Sequence, residues 1–487
     1  MILVIDAGTS SVRALLFDVA GDIHFVAQAP IASSFPMPGR VEQDADAIWQ
    51  QCRRVLRDAI EHAGGAQHIE AMGITNQRET VVAWDRRSGA PLGPAIVWQD
   101  RRTSADCATL VEAGNESRIQ EATGLVLDPY FSATKMAWMM RSSDAVRSAA
   151  ETGRLSFGTI ESWLLFKLTG GHLSDASNAS RTSLMGIETR SWERELCDLF
   201  GIPVDTLPRI VPMHGDYGST HLFGAPIAIT GSAGDQQAAT IGQGCLAPGA
   251  AKATFGTGLF ALASTGADRP RSSHRLLSTL LYSDGEKATY ALEGSVFVAG
   301  SLVTWLRDMA GLVESGAETE TLARSVENAG GVTIIPAFVG LGAPHWRADL
   351  EGSIHGLTFG VTRAHLVRAA LEAVTMSARD LAAAFAADGA PWQRLRVDGG
   401  MVSNDWLTQD LADMLALDVE RPVNIESTAR GAAMLAALGA GLFGSIEEAT
   451  AAMLPAMETF PPALDETTRQ DRARRWSTAL EKALARP

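Results

Sequence analysis

The first thirty residues alternate apolar runs with short polar turns, and this pattern predicts a three-stranded meander. Residues 1–5 form a continuous apolar run, which is typical of a strand buried on both faces. A turn of small residues at 6–11 leads into a second predicted strand at 12–18, and Gly21-Asp22 leads into a third at 23–27. Because no helical pattern separates these strands, the chain opens with a meander rather than a βαβ unit.

Helical periodicity follows this meander and returns later in the chain. A helix is expected over residues 47–63, with Asp44 or Asp46 as its N-cap. A long helix capped by Thr362 is expected to reach about residue 387, and an amphipathic helix is expected over 465–484. Between the first and second of these helices, residues 69–75 predict a strand that ends in a polar cluster. Residues 81–84 and 95–98, separated by a turn, are expected to form a hairpin-like pair.

The stretch at residues 229–237 joins an apolar run to a single acid. Residues 225–229 predict a strand and residues 236–241 predict a helix, so Asp235 falls at the junction between them. Two glycines in the stretch allow the backbone to approach a ligand closely. Open α/β sheets bind ligands beyond the carboxyl ends of their strands, so Asp235 is the candidate catalytic residue.

The strand–turn–strand pattern of the N-terminus returns after Asp235. Residues 251–264 predict two strands around the turn Gly256-Thr257-Gly258, which mirrors the pattern of residues 1–18 and suggests an internal duplication. A chain of 487 residues is also too long for one hydrophobic core. We therefore expect an α/β protein with two domains, 1–242 and 243–487.

Composition and charge restrict the partners. Hydrophobic residues make up 46% of the chain and charged residues 20%, which is typical of a soluble globular protein. The net charge of −15 repels polyanions, so we expect no nucleic-acid partner. A site for ATP would need local dipoles, Mg²⁺ and a few cations.

Cysteine spacing and hydropathy indicate the compartment. The four cysteines lie far apart, which favours neither a disulfide framework nor a zinc site and suits a reducing cytoplasm. The N-terminus has no basic segment of a signal peptide, and the longest apolar run, 432–444, is too short to span a bilayer. We expect no membrane insertion.

Both Gly-Thr turns are candidate phosphate loops. Backbone N–H groups in a tight turn bind phosphate, and the hydroxyls of Thr9, Ser10, Ser11 and Thr257 add donors. Either turn alone is more simply an ordinary hairpin turn, but two of them, each opening a lobe, favour phosphate binding. No P-loop or dinucleotide-binding motif is present in the sequence.

Two other acids stand at predicted strand ends. Asp6 suits Mg²⁺, held through water, although it suits an Asx-turn equally well. Asp398-Gly399-Gly400 precedes a predicted helix and offers backbone and a helix N-terminus to a nucleotide. The alternative for that segment is a plain tight turn.

Arg78 and Glu79 are an adjacent cation and anion after a predicted strand. Neighbours in an extended chain point to opposite faces, so one interpretation is two unrelated surface charges. The other is a pair that grips vicinal hydroxyls, with Arg78 donating and Glu79 accepting. Trp98, Tyr130 and Phe260 would then cover the carbon face of a polyol, although each alone is typical of a core residue.

Taken together, these motifs resemble the FGGY carbohydrate kinases of the actin/hexokinase/Hsp70 superfamily, and the resemblance covers nearly the whole chain. Two of the matching runs, NQRET and DPYFS, point to members that phosphorylate glycerol. The matching runs are GITNQRET (73–80), AIVWQDRRT (95–103), DPYFS (128–132), NASRT (178–182), AGDQQA (233–238), YALEGS (290–295), PAFVGLGAP (336–344) and RVDGG (396–400).

The resemblance implies two duplicated actin-like (ribonuclease H-like) lobes, each a mixed sheet flanked by helices. ATP, Mg²⁺ and the substrate would meet in the cleft between the lobes. The implied reaction is ATP-dependent phosphorylation of a small polyol, with glycerol to glycerol 3-phosphate as the first choice. Erythritol, dihydroxyacetone or a pentulose is the alternative substrate, and a non-catalytic actin-like ATP-binding module is the alternative of another class. A homodimer is a further expectation.

The resemblance also implies residue roles, position by position. Asp235 matches the general base, and Asp6 with Asp235 would hold Mg²⁺. The polyol pocket would comprise Arg78, Glu79, Trp98, Tyr130, Asp235, Gln236 and Phe260. The phosphate loops would comprise Thr9, Ser10, Ser11, Arg13 and Thr257, and the adenine-nucleotide contacts Gly300, Thr304, Gly400 and Asn404.

Three positions depart from the family pattern. Ala7 and Thr304 stand where glutamine is common, and Ser177 stands where threonine is common. They leave room for a divergent substrate. The loop around residues 219–226, which binds a sugar bisphosphate regulator in some members, looks shortened, so we expect that regulation to be absent.

Overall fold

A computed structural model describes residues 1–347 and 349–485 of the chain. The strands are β1 (Ile2–Ala7), β2 (Ser11–Phe17), β3 (Ile23–Pro30), β4 (Ser33–Ser34), β5 (Glu42–Gln43), β6 (Ala71–Asn76), β7 (Val82–Asp85), β8 (Ala95–Ile96), β9 (Leu155–Gly158), β10 (Leu173–Asp175), β11 (Arg209–Val211), β12 (Ser219–Thr220), β13 (Ile227–Gly234), β14 (Ala250–Phe255), β15 (Leu259–Gly266), β16 (Leu277–Ser283), β17 (Ala288–Val296), β18 (Thr333–Ile335), β19 (Ser353–His355), β20 (Arg394–Asp398), β21 (Val419–Pro422) and β22 (Met457–Phe460).

Helices connect these strands, with short 3-10 turns at Ala66–His68, Val204–Thr206 and Gly400–Ser403. The α-helices are α1 (Ala45–His62), α2 (Ser104–Glu112), α3 (Glu116–Thr123), α4 (Ser132–Ser142), α5 (Asp144–Glu151), α6 (Ile160–Thr169), α7 (Ala176–Ser180), α8 (Arg194–Phe200), α9 (Asp235–Gly242), α10 (Gly300–Asp308), α11 (Glu318–Arg324), α12 (Arg363–Ala387), α13 (Asp405–Leu415), α14 (Ser427–Gly439), α15 (Ile446–Met453) and α16 (Glu466–Leu484).

Two large mixed sheets carry the same strand arrangement. The first has the order β12-β13-β6-β1-β2-β3. The second, written in the matching direction, has the order β22-β21-β20-β14-β15-β17, with β16 as a seventh strand at the end. In each sheet the opening strand, β1 or β14, runs antiparallel to the strand that follows it and parallel to one from later in the chain, β6 or β20. The duplicated two-lobe architecture and the opening meander are therefore confirmed.

The first sheet is covered on both faces, which explains the unbroken apolar run of β1. Leu3 and Ile5 pack into one hydrophobic core with α1 and α6, whereas Ile2 and Val4 pack into another with α14 and α15. Successive side chains of a strand alternate between faces, so every position of β1 is buried.

Helix α14 comes from the second half of the chain but packs on the sheet of the first. Its alanines allow a very close approach: a Cβ atom on Gly231 of β13 would lie 2.4 Å from the backbone nitrogen of Ala436. Helix α9 lies beside α14 with the same tightness, since a Cβ on Gly431 would lie 1.8 Å from the carbonyl oxygen of Ala238. These two small-residue helices thus pack a segment from the second half of the chain tightly against the first half.

Helix caps agree with the sequence, and one strand pairing does not. Asp44 caps α1 and Thr362 forms a capping box at α12, as expected. The hairpin-like pair of residues 81–84 and 95–98 is wrong as a main pairing, because β7 pairs over four positions with β9 and β8 pairs with β5. Single bridges such as Val81 to Ile96 are what remains of the hairpin. The distant β9 is favoured because it is buried along its length, like β7, and Ala83 packs with Leu155 and Phe157 in one hydrophobic cluster.

Candidate active site

Asp235 is the first residue of α9, directly after β13. Its Oδ1 accepts a hydrogen bond from the backbone N–H of Gln236 at 2.7 Å and lies 3.1 Å from Nε of Arg78. The side chain keeps 33% of its surface exposed. Burial raises the pKa of Asp235, while the charges of Arg78 and Lys252 oppose that rise. The carboxylate is thus both held in place and open to the cleft.

A buried polar network fixes the end of β13. The backbone N–H of Gly234 donates to Oγ of Ser177 at 3.0 Å, and this hydroxyl donates to Asp175 Oδ1 at 2.5 Å. Oδ2 of Asp175 accepts from Oγ of Ser232 at 2.8 Å. The main chain on the approach to Asp235 is therefore anchored at two points by one carboxylate from the first lobe.

Arg78 and Glu79 are buried rather than on the surface, and Nε of Arg78 lies 4.0 Å from Oε1 of Glu79. Glu79 adopts a left-handed backbone conformation, with φ of 60°, so the alternation of an extended chain does not apply. Its Oε1 accepts from Nε of Arg181 at 2.6 Å. The terminal nitrogens of Arg78 donate to both oxygens of Glu293 at 2.9 and 2.8 Å.

Three aromatic side chains line the neighbouring wall. The Trp98 ring meets Tyr130 and Phe260 edge-to-face, with ring centroids 5.6 and 6.1 Å apart. Indole Nε1 of Trp98 donates to Oγ1 of Thr9 at 3.0 Å, which joins this wall to the first Gly-Thr turn. The structure therefore brings together an apolar wall, a cation and two carboxylates, the combination needed to hold a compact polyol.

Lys252 is a functional candidate that the sequence reasoning missed. It is fully buried in β14, and its Nζ donates to Oε1 of Gln236 at 2.9 Å and to Oγ1 of Thr254. Burial lowers the pKa of Lys252, and the nearby carboxylates of Asp398 and Asp235 oppose that change. A lysine in the middle of an apolar strand was the available signal.

Arg181 and Glu293 were also missed as site residues. Both are buried, and together with Arg78 and Glu79 they form a charge-balanced cluster. They stand inside the matching runs NASRT and YALEGS, so the resemblance marked their positions without giving them a role.

Arg13, expected to contact phosphate at the first turn, instead pairs with two carboxylates. Nη2 of Arg13 lies 2.5 Å from Oδ2 of Asp6, and its Nη1 lies 2.6 Å from Glu426 of the second half. Burial raises the pKa of Asp6, and Arg13 opposes the rise. Ser10 is exposed and Ser11 half-buried, with the Ser11 carbonyl accepting from the N–H of Gly8 at 3.0 Å.

The second turn packs against the start of α10. The carbonyl oxygen of Thr257 accepts from the N–H of Ser301 at 3.1 Å, and that of Gly256 accepts from Gly300 at 2.9 Å. Thr304 lies one turn along α10, exposed, with its hydroxyl 3.3 Å from the Gly300 carbonyl. The nucleotide candidates Gly300 and Thr304 thus lie on the helix that packs against the second turn.

Gly400 begins the 3-10 turn that follows β20, and Asn404 comes directly after that turn. A Cβ atom on Gly400 would meet no atom within 4 Å, so the backbone here is open to a ligand. Asn404 caps α13, accepting from the N–H of Leu407 at 3.0 Å, and donates to Thr319 at 3.2 Å. The backbone near Asn404 is accessible, while its amide is used within the fold.

The two candidate Mg²⁺ ligands come from strands on either side of β6. Asp6 lies on β1 and Asp235 follows β13, and both strands run parallel to β6. Among the described residues, no group of three or more His, Cys, Asp or Glu side chains could hold a metal. Two carboxylates fit Mg²⁺, because this ion is held by one or two carboxylates, substrate phosphates and water.

The repeated strand order, the cleft between the lobes and the two turns define the actin-like class of two-lobed folds. The N-terminal domain of the FGGY family of carbohydrate kinases matches residues 1–242, and its C-terminal domain matches residues 251–440. The chain belongs to this family, and it is a phosphotransferase.

Similar proteins agree along nearly the full length. A protein named glycerol kinase from Rhodospirillum centenum is 49% identical over 487 residues, covering 99% of this chain and 97% of that protein. Another from Rhodospirillum rubrum is 52% identical over 450 residues, covering 91% of each.

Solved structures show the same architecture. The Plasmodium falciparum glycerol kinase with ADP superposes with a TM-score of 0.92 at 33% identity, covering 100% of this chain and 99% of that one. A xylulose kinase from Lactobacillus acidophilus has a TM-score of 0.88 at 19% identity, covering 100% and 99%, and shows the fold alone. Within the described part of the chain, no helix is long and apolar enough to cross a membrane.

Proposed function

We propose that this protein transfers the γ-phosphoryl group of ATP to glycerol, giving glycerol 3-phosphate and ADP. The observation that carries the proposal is the contact of Arg78 with Asp235 beside the aromatic wall of Trp98, Tyr130 and Phe260. Relatives about half identical over their full length, named glycerol kinase, support the same substrate.

Asp235 is the proposed general base. Its exposed carboxylate accepts the proton of a terminal hydroxyl as that oxygen attacks the phosphorus in line. Arg78 and Glu79 orient the hydroxyls by donating and accepting hydrogen bonds, and the aromatic wall packs on the carbon chain.

The nucleotide side of the proposal rests on the two turns. The first turn, through Thr9, Ser10 and Ser11, and the second, through Thr257, supply donors to the phosphates, while Arg13 borders the first turn and pairs with Asp6 and Glu426. We propose that Gly300, Thr304, Gly400 and Asn404 border the adenosine part. Bound Mg²⁺, held by Asp6 and Asp235, would offset the charge of the transferring phosphoryl group.

The remaining expectations stay proposals. We place the domain boundary at 1–242 and 243–487, and the four free, buried cysteines suit a reducing cytoplasm. A homodimer and the absence of a sugar-bisphosphate regulatory loop also stay predictions.

The test is ADP release measured over glycerol, erythritol, dihydroxyacetone, xylulose and ribulose at equal concentration. Glycerol is expected to give the highest kcat/KM. A higher value for any of the others would assign a different FGGY substrate. Binding of ATP with no ADP release in the presence of any of these substrates would point to the non-catalytic ATP-binding module instead.

A further inference from the structure

Glu293 belongs to the second lobe, yet its carboxylate holds the cation of the polyol pocket. It lies on β17, in the same sheet as Phe260, and both Arg78 and Glu293 are buried, at 3% and 1% exposure. The guanidinium donates through both terminal nitrogens, at 2.9 and 2.8 Å. Such a two-point pair fixes the plane of the guanidinium as well as its position.

This pairing leaves only one nitrogen of Arg78 for the base. Nη1 also lies 3.3 Å from Oε1 of Gln237, so Nε alone meets Asp235, at 3.1 Å. An arginine released from Glu293 would be free to turn its terminal nitrogens toward Asp235. It would then bind both carboxylate oxygens and compete with the substrate hydroxyl.

Glu293 also reaches the second polyol-gripping residue, through Arg181. The Arg181 guanidinium lies 3.1 Å from Glu293 Oε2 and donates to Oε1 at 3.2 Å, while its Nε donates to Glu79 at 2.6 Å. The four side chains carry two positive and two negative charges, so the buried cluster is balanced. One carboxylate from the second lobe thereby orients both Arg78 and Glu79 of the first.

We propose that Glu293 is a positioning residue that assembles the polyol pocket across the lobe boundary. Arg78 and Glu79 take up their substrate-binding orientation only when the second lobe brings Glu293 against them. Closure of the lobes and binding of the polyol then occur together. This inference rests on the proposed function, because it concerns the same pocket.

The test compares Glu293→Gln with the wild type by calorimetry and steady-state kinetics. Glutamine keeps the shape but turns an N–H₂ group toward two guanidinium groups, so Arg78 loses its two-point partner. We expect the Kd of glycerol, measured without nucleotide, to rise at least about tenfold, with kcat falling by a similar factor. The Kd of ADP is expected to stay within about threefold, since the nucleotide candidates lie elsewhere on the second lobe.

Arg181→Gln is the matched control. It removes one charge from the same cluster but leaves the pair of Arg78 with Glu293, so its glycerol Kd should rise less than that of Glu293→Gln. The double variant Glu293→Gln/Arg181→Gln restores charge balance, and it replaces the single variant if thermal melting shows the single variant unfolded. A purely structural role predicts recovery of glycerol binding in the double variant, whereas positioning predicts that the loss persists.

Three outcomes overturn the inference: Glu293→Gln binding glycerol like the wild type, Glu293→Gln losing ADP affinity as much as glycerol affinity, or the double variant recovering glycerol binding. A wild type that binds ADP but no glycerol contradicts the proposed function instead. The two failures are therefore distinguishable in one set of titrations.

Discussion

The two lobes open with the same strand–turn–strand unit, but an acid and a threonine exchange places between them. In the first sheet Asp6 of β1 stands level with Thr75 of the parallel strand β6. In the second sheet Thr254 of β14 stands level with Asp398 of the parallel strand β20. The duplicated backbone thus presents one carboxylate per lobe, from opposite strands of the same pair.

The two carboxylates have different partners, and this difference separates their roles. Asp398 accepts from Gln243 at 2.7 Å and from Thr254 at 2.5 Å, and it lies 3.9 Å from Lys252. Asp6 is held by Arg13, which Glu426 shares. We interpret Asp398 as the acid that fixes a buried lysine and Asp6 as the acid that serves the metal, so that one backbone unit supports two functions.

The largest expected effect comes from Asp235, one of two acids at the starts of the two interface helices. Asp235 begins α9 and Glu426 precedes α14, and these helices pack together. Asp235→Asn should lower kcat by about 10³-fold, because the amide cannot accept the hydroxyl proton. Steady-state ADP release with glycerol measures this loss.

Glu426→Gln is the control for that variant, since Arg13 keeps Asp6 as a partner. Its kcat should fall less than about tenfold. Comparable losses of kcat in the two variants would show that the lobes share the catalytic role equally. Near wild-type turnover of Asp235→Asn would show that Asp235 is not the general base.

The exchanged acids provide the next test. Asp6→Asn should lower kcat/KM for ATP by about 10²-fold, because the variant loses the negative charge that we propose holds Mg²⁺ near the phosphates. Asp398→Asn should lower the free energy of unfolding by about 1–3 kcal/mol, since it weakens the bonds from Gln243 and Thr254. Both variants are measured by steady-state kinetics and by chemical denaturation. Equal losses of activity and of stability in the two variants would contradict the division of roles.

The opening strands, the helix caps and the position of Asp235 followed from the sequence because local patterns determine them. Cross-sheet registers did not, since Thr254 meets Asp398 144 residues away and Arg78 meets Glu293 215 residues away. Hydrophobic period predicts that a strand is buried but not which strand lies beside it. The shared orientation of Arg78 and Glu79 was also hidden, because a left-handed glutamate leaves no mark in the sequence.

A smaller effect is expected from the second turn. A Cβ atom on Gly256 would come no nearer than 4.0 Å to another atom, so Gly256→Ala should leave thermal stability unchanged. It should nevertheless raise the KM for ATP by about tenfold, because the methyl group occupies the space that phosphate approaches. Gly258→Ala is the counterpart, since its Cβ would lie 2.6 Å from the Val296 carbonyl and should lower the melting temperature. An unchanged KM in Gly256→Ala would mean that the second turn does not touch the nucleotide.

The smallest effect is expected at Thr75, which is compared with Thr254, the threonine of the other exchanged pair. Over the described residues, Oγ1 of Thr75 is buried without a hydrogen-bond partner, whereas Oγ1 of Thr254 donates to Asp398 and accepts from Lys252. Thr75→Val replaces an unsatisfied hydroxyl with a methyl group of similar size, so the free energy of unfolding should change by less than about 0.5 kcal/mol or rise slightly. Thr254→Val should cost about 1–3 kcal/mol, because it leaves both partners short of a bond. Urea denaturation of the two variants measures the difference. A large loss of stability in Thr75→Val would show that its hydroxyl has a hydrogen-bond partner. The two lobes would then be more alike at this pair than the exchange of acids suggests.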